Sequence, residues 1–451
     1  MSNETKAQAT TTVAPYAPKA ANVCEVVPPL RPRSMDHLEL AKMVRESFGD
    51  GNLLRTKGQF WRWDPCGIWM SCSADFVKQR AQKVISDAGW AISSALVKAV
   101  TDVLGNDVHR EEHEFNQGDA ESVNLENGEL VLSDGEWRLE PHQPDRFHTM
   151  QVPIAYDPSA RAPQFEAFLA ETFAGDMDCA DKIACVLEMM GYTLMRHARH
   201  EKFVILIGDG ANGKSVLLGV IAAICGRENV AAVQPSQFGN PFQRGFLHMK
   251  LANIVGELRM GEVLPDAELK SIVSGEPSTV EHKHKNPFTL RPYATCWFGT
   301  NHMPIVRDHS SATVRRAIVL KFNRTIPPNQ RDTGLLQRLI AEAPGILNLI
   351  LAAYAKASIR GFTMPSSTAA ALEDLHREAD PVAAFVSDQC TRDHKGHEGA
   401  STVFARYQQW HDDNGSGPLL SLKAFRSHLT RLGFTSKRTS AGMQIIGLLL
   451  N

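Results

Sequence analysis

A glycine-rich stretch in the middle of the chain has the residue types and spacing of a phosphate-binding loop. It follows the pattern GxxxxGK[ST] and reads Gly208-Asp209-Gly210-Ala211-Asn212-Gly213-Lys214-Ser215. The apolar run Phe203–Ile207 before it predicts a buried strand, and the small apolar residues after it predict a helix. Backbone N–H groups and the helix dipole at such a junction favour an anion. The stretch is therefore predicted to bind a nucleoside triphosphate, with Lys214 at the β- and γ-phosphates and Ser215 on Mg²⁺.

Two further apolar strands end near polar side chains that a nucleotide-hydrolysing site needs. The run Leu251–Val255 leads to Glu257, and the run Tyr293–Gly299 leads to Asn301. The carboxyl ends of parallel strands face the crevice where α/β sheets bind ligands. Glu257 is therefore predicted to polarise the attacking water or to organise Mg²⁺, and Asn301 to hydrogen-bond the γ-phosphate. Acids and turn residues also follow ordinary strands, and that alternative stays open at this point.

An adjacent pair of arginines, Arg315 and Arg316, precedes the apolar strand Ala317–Phe322. An arginine supplied by a neighbouring subunit can stabilise the charge that develops during phosphoryl transfer. Each of the two is a candidate for such a finger, and each is also compatible with an ordinary surface position. The sequence does not choose between them.

A basic segment lies between the acid and the asparagine. The extended runs Ser278–Glu281 and Phe288–Leu290 flank Lys283, His284 and Lys285, which predicts a hairpin with a positive tip. Such a tip suits the phosphates of a single nucleic-acid strand, independently of sequence. A solvated loop of mixed charge is the alternative, and no cysteine or carboxylate spacing supports a histidine metal site.

Shifts in composition divide the chain into several parts. The predicted parts are a disordered tail at 1–33, an α+β region at 34–165, a helical lead-in at 166–200, an ATPase domain at 201–362 and a C-terminal domain at 380–451. Within the second part, the stretch Ala74–Leu104 is predicted as helix. In the ATPase part, apolar strands alternate with helical stretches, which indicates an α/β sheet covered by helices.

The C-terminal part ends with a basic module. Helices are predicted around Val403–His411 and Leu422–Leu432, followed by a β-pair at Phe434–Arg438 and Met443–Leu449. Residues 420–451 contain five lysines and arginines and no acids. A helix followed by a basic β-pair is typical of a winged helix, which suits duplex DNA, and a protein-binding role is the alternative.

The composition is that of an ordinary globular chain. The 451 residues are 43% hydrophobic and 22% charged, and the formal net charge of −2 means that nucleic-acid binding would depend on local patches. The eight cysteines show no CxxC pair and no zinc spacing, which predicts reduced thiols. No signal sequence and no bilayer-length apolar segment is present, so a cytoplasmic location without a membrane partner is expected.

Several short motifs, in this order and spacing, resemble one family. They are the phosphate loop, Ile254-Val255-Gly256-Glu257, Leu269-Lys270 with Ser274-Gly275-Glu276, Thr300-Asn301-His302-Met303-Pro304, Arg315-Arg316, Val123-Asn124-Leu125 and Asp380-Pro381-Val382. With them the chain resembles the superfamily 3 helicases of phages and plasmids, in the primase-helicase group related to poxvirus replication ATPases. The resemblance runs from about residue 40 to the end.

The resemblance implies an α/β, AAA+-like P-loop ATPase, preceded by a mixed, mainly helical domain and followed by a winged-helix-like domain. It also implies ATP and Mg²⁺, a homohexameric ring around single-stranded DNA, 3′-to-5′ translocation, and Lys283 and His284 as DNA-gripping residues. The chain departs from the group at Gly256, where many ATPases carry a second acid. It also has no room for the catalytic primase domain of longer relatives, so a separate primase partner is expected.

Two functional hypotheses follow. The first is an ATP-driven DNA helicase that acts on single-stranded and forked duplex DNA during replication of a mobile element. The second is an origin-binding or regulatory protein in which nucleotide only sets the oligomeric state. A small-molecule kinase is disfavoured, because it would leave the basic hairpin and tail without a role.

Overall fold

The computed structural model describes residues 36–451 except 118–120, 284–285, 307–312, 314, 380, 415–418 and 441, and it gives only the backbone of 373–379. The predicted tail at 1–33 lies outside the described residues. Described regular structure begins with a helical unit that carries a small antiparallel sheet. Its elements are α1 (His37–Glu46), β1 (Leu53–Thr56), β2 (Gln59–Asp64), β3 (Ile68–Cys72), α2 (Ala74–Asp87) and α3 (Ser94–Asp107).

The predicted helix Ala74–Leu104 is in fact two helices, α2 and α3. The chain turns at Gly89, whose φ of +79° is a left-handed conformation that favours glycine. Ser93 then caps the second helix by accepting a hydrogen bond from the Leu96 amide. Both helices bury one apolar face, with Val77 and Val100 in the same core as α1.

A second antiparallel sheet follows and packs elsewhere. It consists of β4 (Ser122–Leu125), β5 (Gly128–Ser133) and β6 (Glu136–Glu140), and the chain then forms α4 (Pro163–Thr172) and α5 (Cys179–Thr193). Val123, Leu125 and Leu130 of this sheet share a core with α4, α5 and the central sheet described next. The β4–β6 sheet is thus packed against the α/β unit.

The central sheet has five parallel strands in the order β15-β7-β13-β9-β8. The α/β unit is built from β7 (Phe203–Ile207), α6 (Lys214–Cys225), β8 (Val230–Ala231), α7 (Pro241–Arg244), β9 (Ala252–Val255), β10 (Val263–Leu264), α8 (Asp266–Val273), β11 (Ser278–Val280), β12 (Phe288–Leu290), β13 (Thr295–Thr300), β14 (Ile305–Val306) and β15 (Ala317–Lys321). The predicted alternation of strands and helices is confirmed.

Both faces of this sheet are covered. In β7, Phe203 and Ile205 face one core while Val204 and Leu206 face the other, as the two-residue period of a strand requires. One core contains α4, α5 and α6, and the other contains α8 and the β11–β12 hairpin. The carboxyl ends of β7, β9 and β13 therefore lie together at one edge between two packed layers.

Three helices follow the sheet: α9 (Leu335–Ala341), α10 (Ala343–Arg360) and α11 (Ser366–Ala379). α10 is buried along Ile346, Leu347 and Ile350. Among the described helices, no single one is long and apolar enough to cross a membrane. Only the bent pair Pro328–Ala341 and Ala343–Arg360, at 73° to each other, meets that test jointly.

The last unit alternates helices with a three-stranded antiparallel sheet. Its elements are α12 (Pro381–Gln389), β16 (Cys390–Gly399), α13 (Ala400–Asn414), α14 (Leu422–Arg431), β17 (Thr435–Thr439) and β18 (Gly442–Leu450). The sheet order is β16-β18-β17. The predicted β-pair is confirmed, with Lys437 opposite Gln444, whereas β16 was not predicted because its sequence is almost entirely polar.

Candidate functional site

The predicted phosphate loop connects the end of β7 to the first residue of α6. Gly213, which precedes the helix, has a φ of +92°, and a side chain there would be strained. Gly208 is required for a different reason, because a Cβ atom would lie 2.2 Å from the side-chain Nδ2 of Asn212 and 2.5 Å from the Phe322 carbonyl oxygen. The loop is therefore a tight turn that leaves its backbone amides at the N-terminus of α6.

The side chain of Lys214 is held at the floor of this loop. It is 5% exposed, and its Nζ donates to the Gly208 carbonyl, to Asn212 Oδ1 at 3.2 Å and to Asn301 Oδ1 at 3.3 Å. Burial lowers the pKa of Lys214, while the charges of Asp209 and Glu257 act in the opposite direction. No described carboxylate forms an ion pair with this ammonium group, so an anionic ligand would supply its missing counter-charge.

Glu257 and Asn301 meet at the carboxyl edge of the sheet. They follow β9 and β13, which are neighbours with Val255 opposite Phe298, and Asn301 Nδ2 donates to Glu257 Oε1 at 3.3 Å. Asn301 also accepts from Lys214, so the three predicted residues form one hydrogen-bonded chain. The structure thus brings together side chains that are 87 and 44 residues apart in sequence.

A close backbone contact fixes the relative position of β9 and β13. A Cβ atom on Gly299 would lie 2.3 Å from the Gly256 carbonyl oxygen, and the Leu258 amide donates to the Gly299 carbonyl at 2.8 Å. Glycine is required at Gly299 because a side chain would separate the two strand ends. Glu257 and Asn301 therefore stand on a rigid pair of strands.

These side chains border a cavity of about 700 Å³, a size typical of small-molecule sites. Its wall beyond the phosphate loop comes from two segments that the sequence did not identify as part of the site. The first is α4, and the second precedes and begins α9. The residues are Phe168, Glu171, Thr172, Arg324, Ile326, Gln330, Arg331, Asp332, Leu335 and Arg338.

The donor set around the cavity is compatible with Mg²⁺. Ser215 and Glu257 both line it, and Mg²⁺ commonly takes one or two protein oxygens together with substrate phosphates and water. No group of three or more histidine, cysteine or acidic side chains in the described part of the chain could hold a metal alone. Ser215 and Glu257 would therefore hold the ion together with a triphosphate.

Arg315 and Arg316 lie at the amino-terminal end of β15, on the side of the sheet opposite to the carboxyl ends of the strands. They precede β15, which pairs with β7 from Ala317 opposite Phe203 to Lys321 opposite Ile207, so the strand separates them from the phosphate loop by about 15 Å. Arg316 is 5% exposed and forms an ion pair with Glu201 at 2.6 Å. Arg315 is exposed. Neither lines the cavity of its own chain.

The predicted basic hairpin is present as β11 and β12, paired from Ser278 opposite Leu290 to Val280 opposite Phe288. Phe288 packs its ring against His248 and His282 at the base. Lys283 at the tip is exposed, while His284 and Lys285 lie outside the described residues. The described residues of the hairpin do not line the cavity.

A buried cation that the sequence did not reveal supports the phosphate loop from behind. Lys182 of α5 is fully buried and donates to Asp176 at 2.7 Å and to the Lys321 carbonyl at 2.9 Å. The residues just after Lys321 bond to the end of β7 and to the loop, because the Phe322 amide donates to the Ile207 carbonyl and the Ile326 amide donates to the Ala211 carbonyl. Lys182 thus fixes the end of β15 against which the loop rests.

Comparison with protein families gives three matches in chain order. Residues 41–174 match the model described as D5 N terminal like, residues 206–316 match a family of unknown function (DUF5906), and residues 377–445 match the model described as Poxvirus D5 protein-like. A protein of Acanthamoeba polyphaga mimivirus, “Putative helicase L207/L206”, is 20% identical over 277 residues. That match spans 54% of this chain and 28% of the mimivirus protein.

Solved structures of the NrS-1 C-terminal region share the fold. Two apo structures match with TM-scores of 0.56 and 0.54 at 13% identity. Each covers 92% of this chain, and the chain covers 99% and 100% of the two structures. The likeness therefore extends over nearly the whole described fold.

Proposed function

Because the chain belongs to the D5-like primase-helicase family, we propose that it is an ATP-dependent DNA helicase. It would translocate on single-stranded DNA during replication of a phage or plasmid-type mobile element. The observation that carries this proposal is the hydrogen-bonded chain Lys214–Asn301–Glu257 beside the phosphate loop. This chain of side chains supplies the cation, the polar sensor and the carboxylate that hydrolysis of a γ-phosphate requires.

In the proposed reaction, the triphosphate lies on the loop with its β- and γ-phosphates at Lys214. Without a ligand, the Lys214 ammonium is bonded among the described residues only to neutral acceptors, which include the Gly208 carbonyl and Asn301. When the triphosphate binds, phosphate oxygens replace these two contacts and neutralise the charge of the ammonium. Ser215 and Glu257 would hold Mg²⁺, which would supply charge neutralisation of the phosphates.

Glu257 orients the attacking water and accepts its proton. The water oxygen forms a bond to the γ-phosphorus while the bond to the β,γ-bridging oxygen breaks, leaving ADP and phosphate. Asn301 is hydrogen-bonded to both Lys214 and Glu257. The loss of the γ-phosphate would therefore change the hydrogen bonds of both residues through one amide group.

The remaining charge would come from a second copy of the chain. Arg315 is the better candidate for the finger, because it is exposed whereas Arg316 is paired with Glu201. Since Arg315 lies at the sheet edge remote from its own phosphate loop, it can act only on a neighbouring subunit's site. A closed ring, expected to be a homohexamer, provides that arrangement at every interface.

The β11–β12 hairpin would grip the translocating strand. Its exposed Lys283 suits a phosphate, and His284 and Lys285 belong to the same proposal. Hydrolysis would change the relative position of neighbouring subunits and move the hairpin tip along one strand of the DNA.

The order of elements in the last unit supports the winged-helix-like assignment. Helix, strand, two helices and a β-pair follow one another, and the first strand pairs with the last. We propose that the chain is divided into four folded parts, at 34–165, 166–200, 201–362 and 380–451.

The decisive experiment measures ATP hydrolysis by the full chain with and without single-stranded DNA, and strand separation on a forked duplex. We expect DNA to stimulate hydrolysis and the fork to open only with ATP. Glu257→Gln should reduce turnover by about 10²-fold or more while a fluorescent ATP analogue still binds, because the amide keeps the shape but loses the base.

Hydrolysis that ignores DNA, together with a fork that never opens, would overturn the motor. That result would favour the alternative, a nucleotide-controlled origin-binding or regulatory protein. Such a protein would keep sequence-selective duplex binding in Glu257→Gln and would show no ATP-dependent strand separation.

A further inference from the structure

An aromatic cluster on the β1–β3 sheet is packed against one residue of the α/β unit. The side chains of this aromatic cluster come from the sheet and from the segments on either side of β4–β6, and they are Leu54, Trp61, Trp63, Trp69, Phe115 and Phe147. Met249 packs against them, and its sulfur accepts a hydrogen bond from the Thr149 hydroxyl at 3.4 Å. A polarizable thioether suits an aromatic environment. The first sheet of the chain is thus in contact with the segment that leads into β9.

The residue just before Met249 contacts the basic hairpin. The ring of His248 lies 4.8 Å from that of Phe288 and 6.5 Å from that of His282, between centroids. Burial lowers the pKa of His248 to about 4, so the ring is uncharged near neutral pH and packs as an aromatic group. Two consecutive residues therefore join the aromatic cluster to the base of the β11–β12 hairpin.

The backbone at this junction adopts a conformation that is costly for residues other than glycine. Met249 has a φ of +56°, and Phe147 and Asn116 have φ values of +50° and +59°. The three belong to one contact network, because the Asn116 amide donates to the Phe147 carbonyl at 3.1 Å and Asn116 Nδ2 donates to Thr149 Oγ1 at 2.7 Å. Such conformations persist only where the surroundings fix them, and they concentrate at functional positions. Burial of apolar surface alone would not require them.

The stretch that ends at His248 supports the hairpin along its length. The Arg244 guanidinium donates to the Thr279 carbonyl of β11 at 3.2 Å. A Cβ atom on Gly245 would lie only 3.1 Å from the Glu281 carbonyl oxygen, so the two backbones are in close contact. With the His248 ring against β12, this stretch contacts both strands. A shift of the next residue in the aromatic cluster would therefore be transmitted to the hairpin.

We propose that the aromatic cluster positions the β11–β12 hairpin through Met249 and His248. The consequence, which rests on the proposed function, is that the N-terminal part of the chain sets how tightly the hairpin holds single-stranded DNA. Met249 and His248 are positioning residues, because neither lines the nucleotide cavity and their effect on DNA passes through the hairpin. The first sheet thus adjusts the grip without contacting the phosphate loop.

Hydrogen exchange in the full chain, without nucleotide or DNA, tests the positioning directly. In Met249→Ala, the backbone amides of β11 and β12 should exchange about fivefold faster, because their support is no longer held in the aromatic cluster. The amides of β4–β6 should exchange as in the unaltered chain. Met249→Leu keeps an apolar side chain of similar volume and should restore the slow exchange.

Stimulation of ATP hydrolysis by single-stranded DNA tests the consequence. Met249→Ala should raise the DNA concentration for half-maximal stimulation about fivefold or more, while kcat and KM for ATP without DNA stay within about twofold. The matched control is Met43→Ala, which removes an exposed methionine from α1 and should change neither measurement.

Unchanged exchange of β11 and β12 in Met249→Ala would overturn the proposal. Faster exchange throughout the α/β unit, together with a parallel loss of basal hydrolysis, would also overturn it, because Met249 would then only stabilise the fold. Faster exchange confined to the hairpin would support the positioning even in a chain whose hydrolysis ignores DNA, and that result would contradict the helicase function instead.

Discussion

The proposed nucleotide pocket and the basic hairpin belong to the same α/β unit but are held in different ways. In the pocket, Lys214 is 5% exposed and bonded to three groups. In the hairpin, two strands of three residues carry an exposed Lys283 beyond their last pair. Reacting atoms need fixed positions, whereas a grip on a repeating backbone needs only charge that can move with its support. Mutations should therefore act on different observables at the two places.

The largest effect should come from Lys214→Ala. Loss of the ammonium removes the charge that balances the β- and γ-phosphates, so we expect hydrolysis to fall by about 10³-fold or more. Steady-state ATPase assays with and without DNA measure it. Lys98→Ala, which removes an exposed cation from α3, is the control. An ATPase rate that survives Lys214→Ala would show that the pocket is not the reacting site.

Arg315→Ala should also lower turnover by up to about 10³-fold, because a finger stabilises charge present only in the transition state. Arg316→Lys, which preserves the pairing with Glu201, should change turnover little.

A mixing experiment distinguishes the two sides of the proposed inter-subunit site. Arg315→Ala and Lys214→Ala chains, each inactive alone, should regain part of the activity when mixed, since some interfaces then combine an intact loop with an intact arginine. Failure to recover any activity would contradict action between subunits.

Lys182→Met tests the support behind the pocket. Removing the cation leaves Asp176 and Asp178 close together without it, and breaking a buried pair in this way should lower stability by about 3 kcal/mol. Urea unfolding measures the loss, and the KM for ATP should rise because the end of β15 is no longer held against the loop. Lys98→Met, which removes an exposed pairing with Asp102, should unfold like the unaltered chain.

The smallest of these effects should be that of Lys283→Ala. We expect strand separation to fall about tenfold while hydrolysis without DNA stays within about twofold, because Lys283 does not line the pocket. Lys283→Arg keeps the charge and should retain most of the unwinding. Equal losses of basal hydrolysis and unwinding would show that the two regions are not separable.

The parts of this molecule that could be predicted from sequence are those whose signal is local. The apolar runs gave β7, β9, β13 and β15, and the glycine pattern located the phosphate loop. The predicted helix Ala74–Leu104 is divided by a turn at Gly89 and a helix cap at Ser93, two local signals that the apolar periodicity alone does not contain.

Other features depend on distant residues. Lys182 bonds a carbonyl 139 residues away, and the wall of the pocket joins α4 to the segment before α9. The strand β16 has the polar sequence Cys390–Gly399 and is ordered by pairing with β18. None of these has a periodicity that a single sequence can reveal, because their partners are chosen by the tertiary fold.

Gly256 has a consequence for how this site could change over generations. It lines the pocket beside Glu257, and a Cβ atom built on it would meet no described atom within 4 Å. Glycine codons become aspartate or glutamate codons through a single base change, so a second acid is both sterically admissible and genetically near. Glu257 could therefore gain an acidic neighbour in one mutational step, and comparing ATP hydrolysis by a Gly256→Asp chain with that of the unaltered chain would show whether a second acid changes turnover.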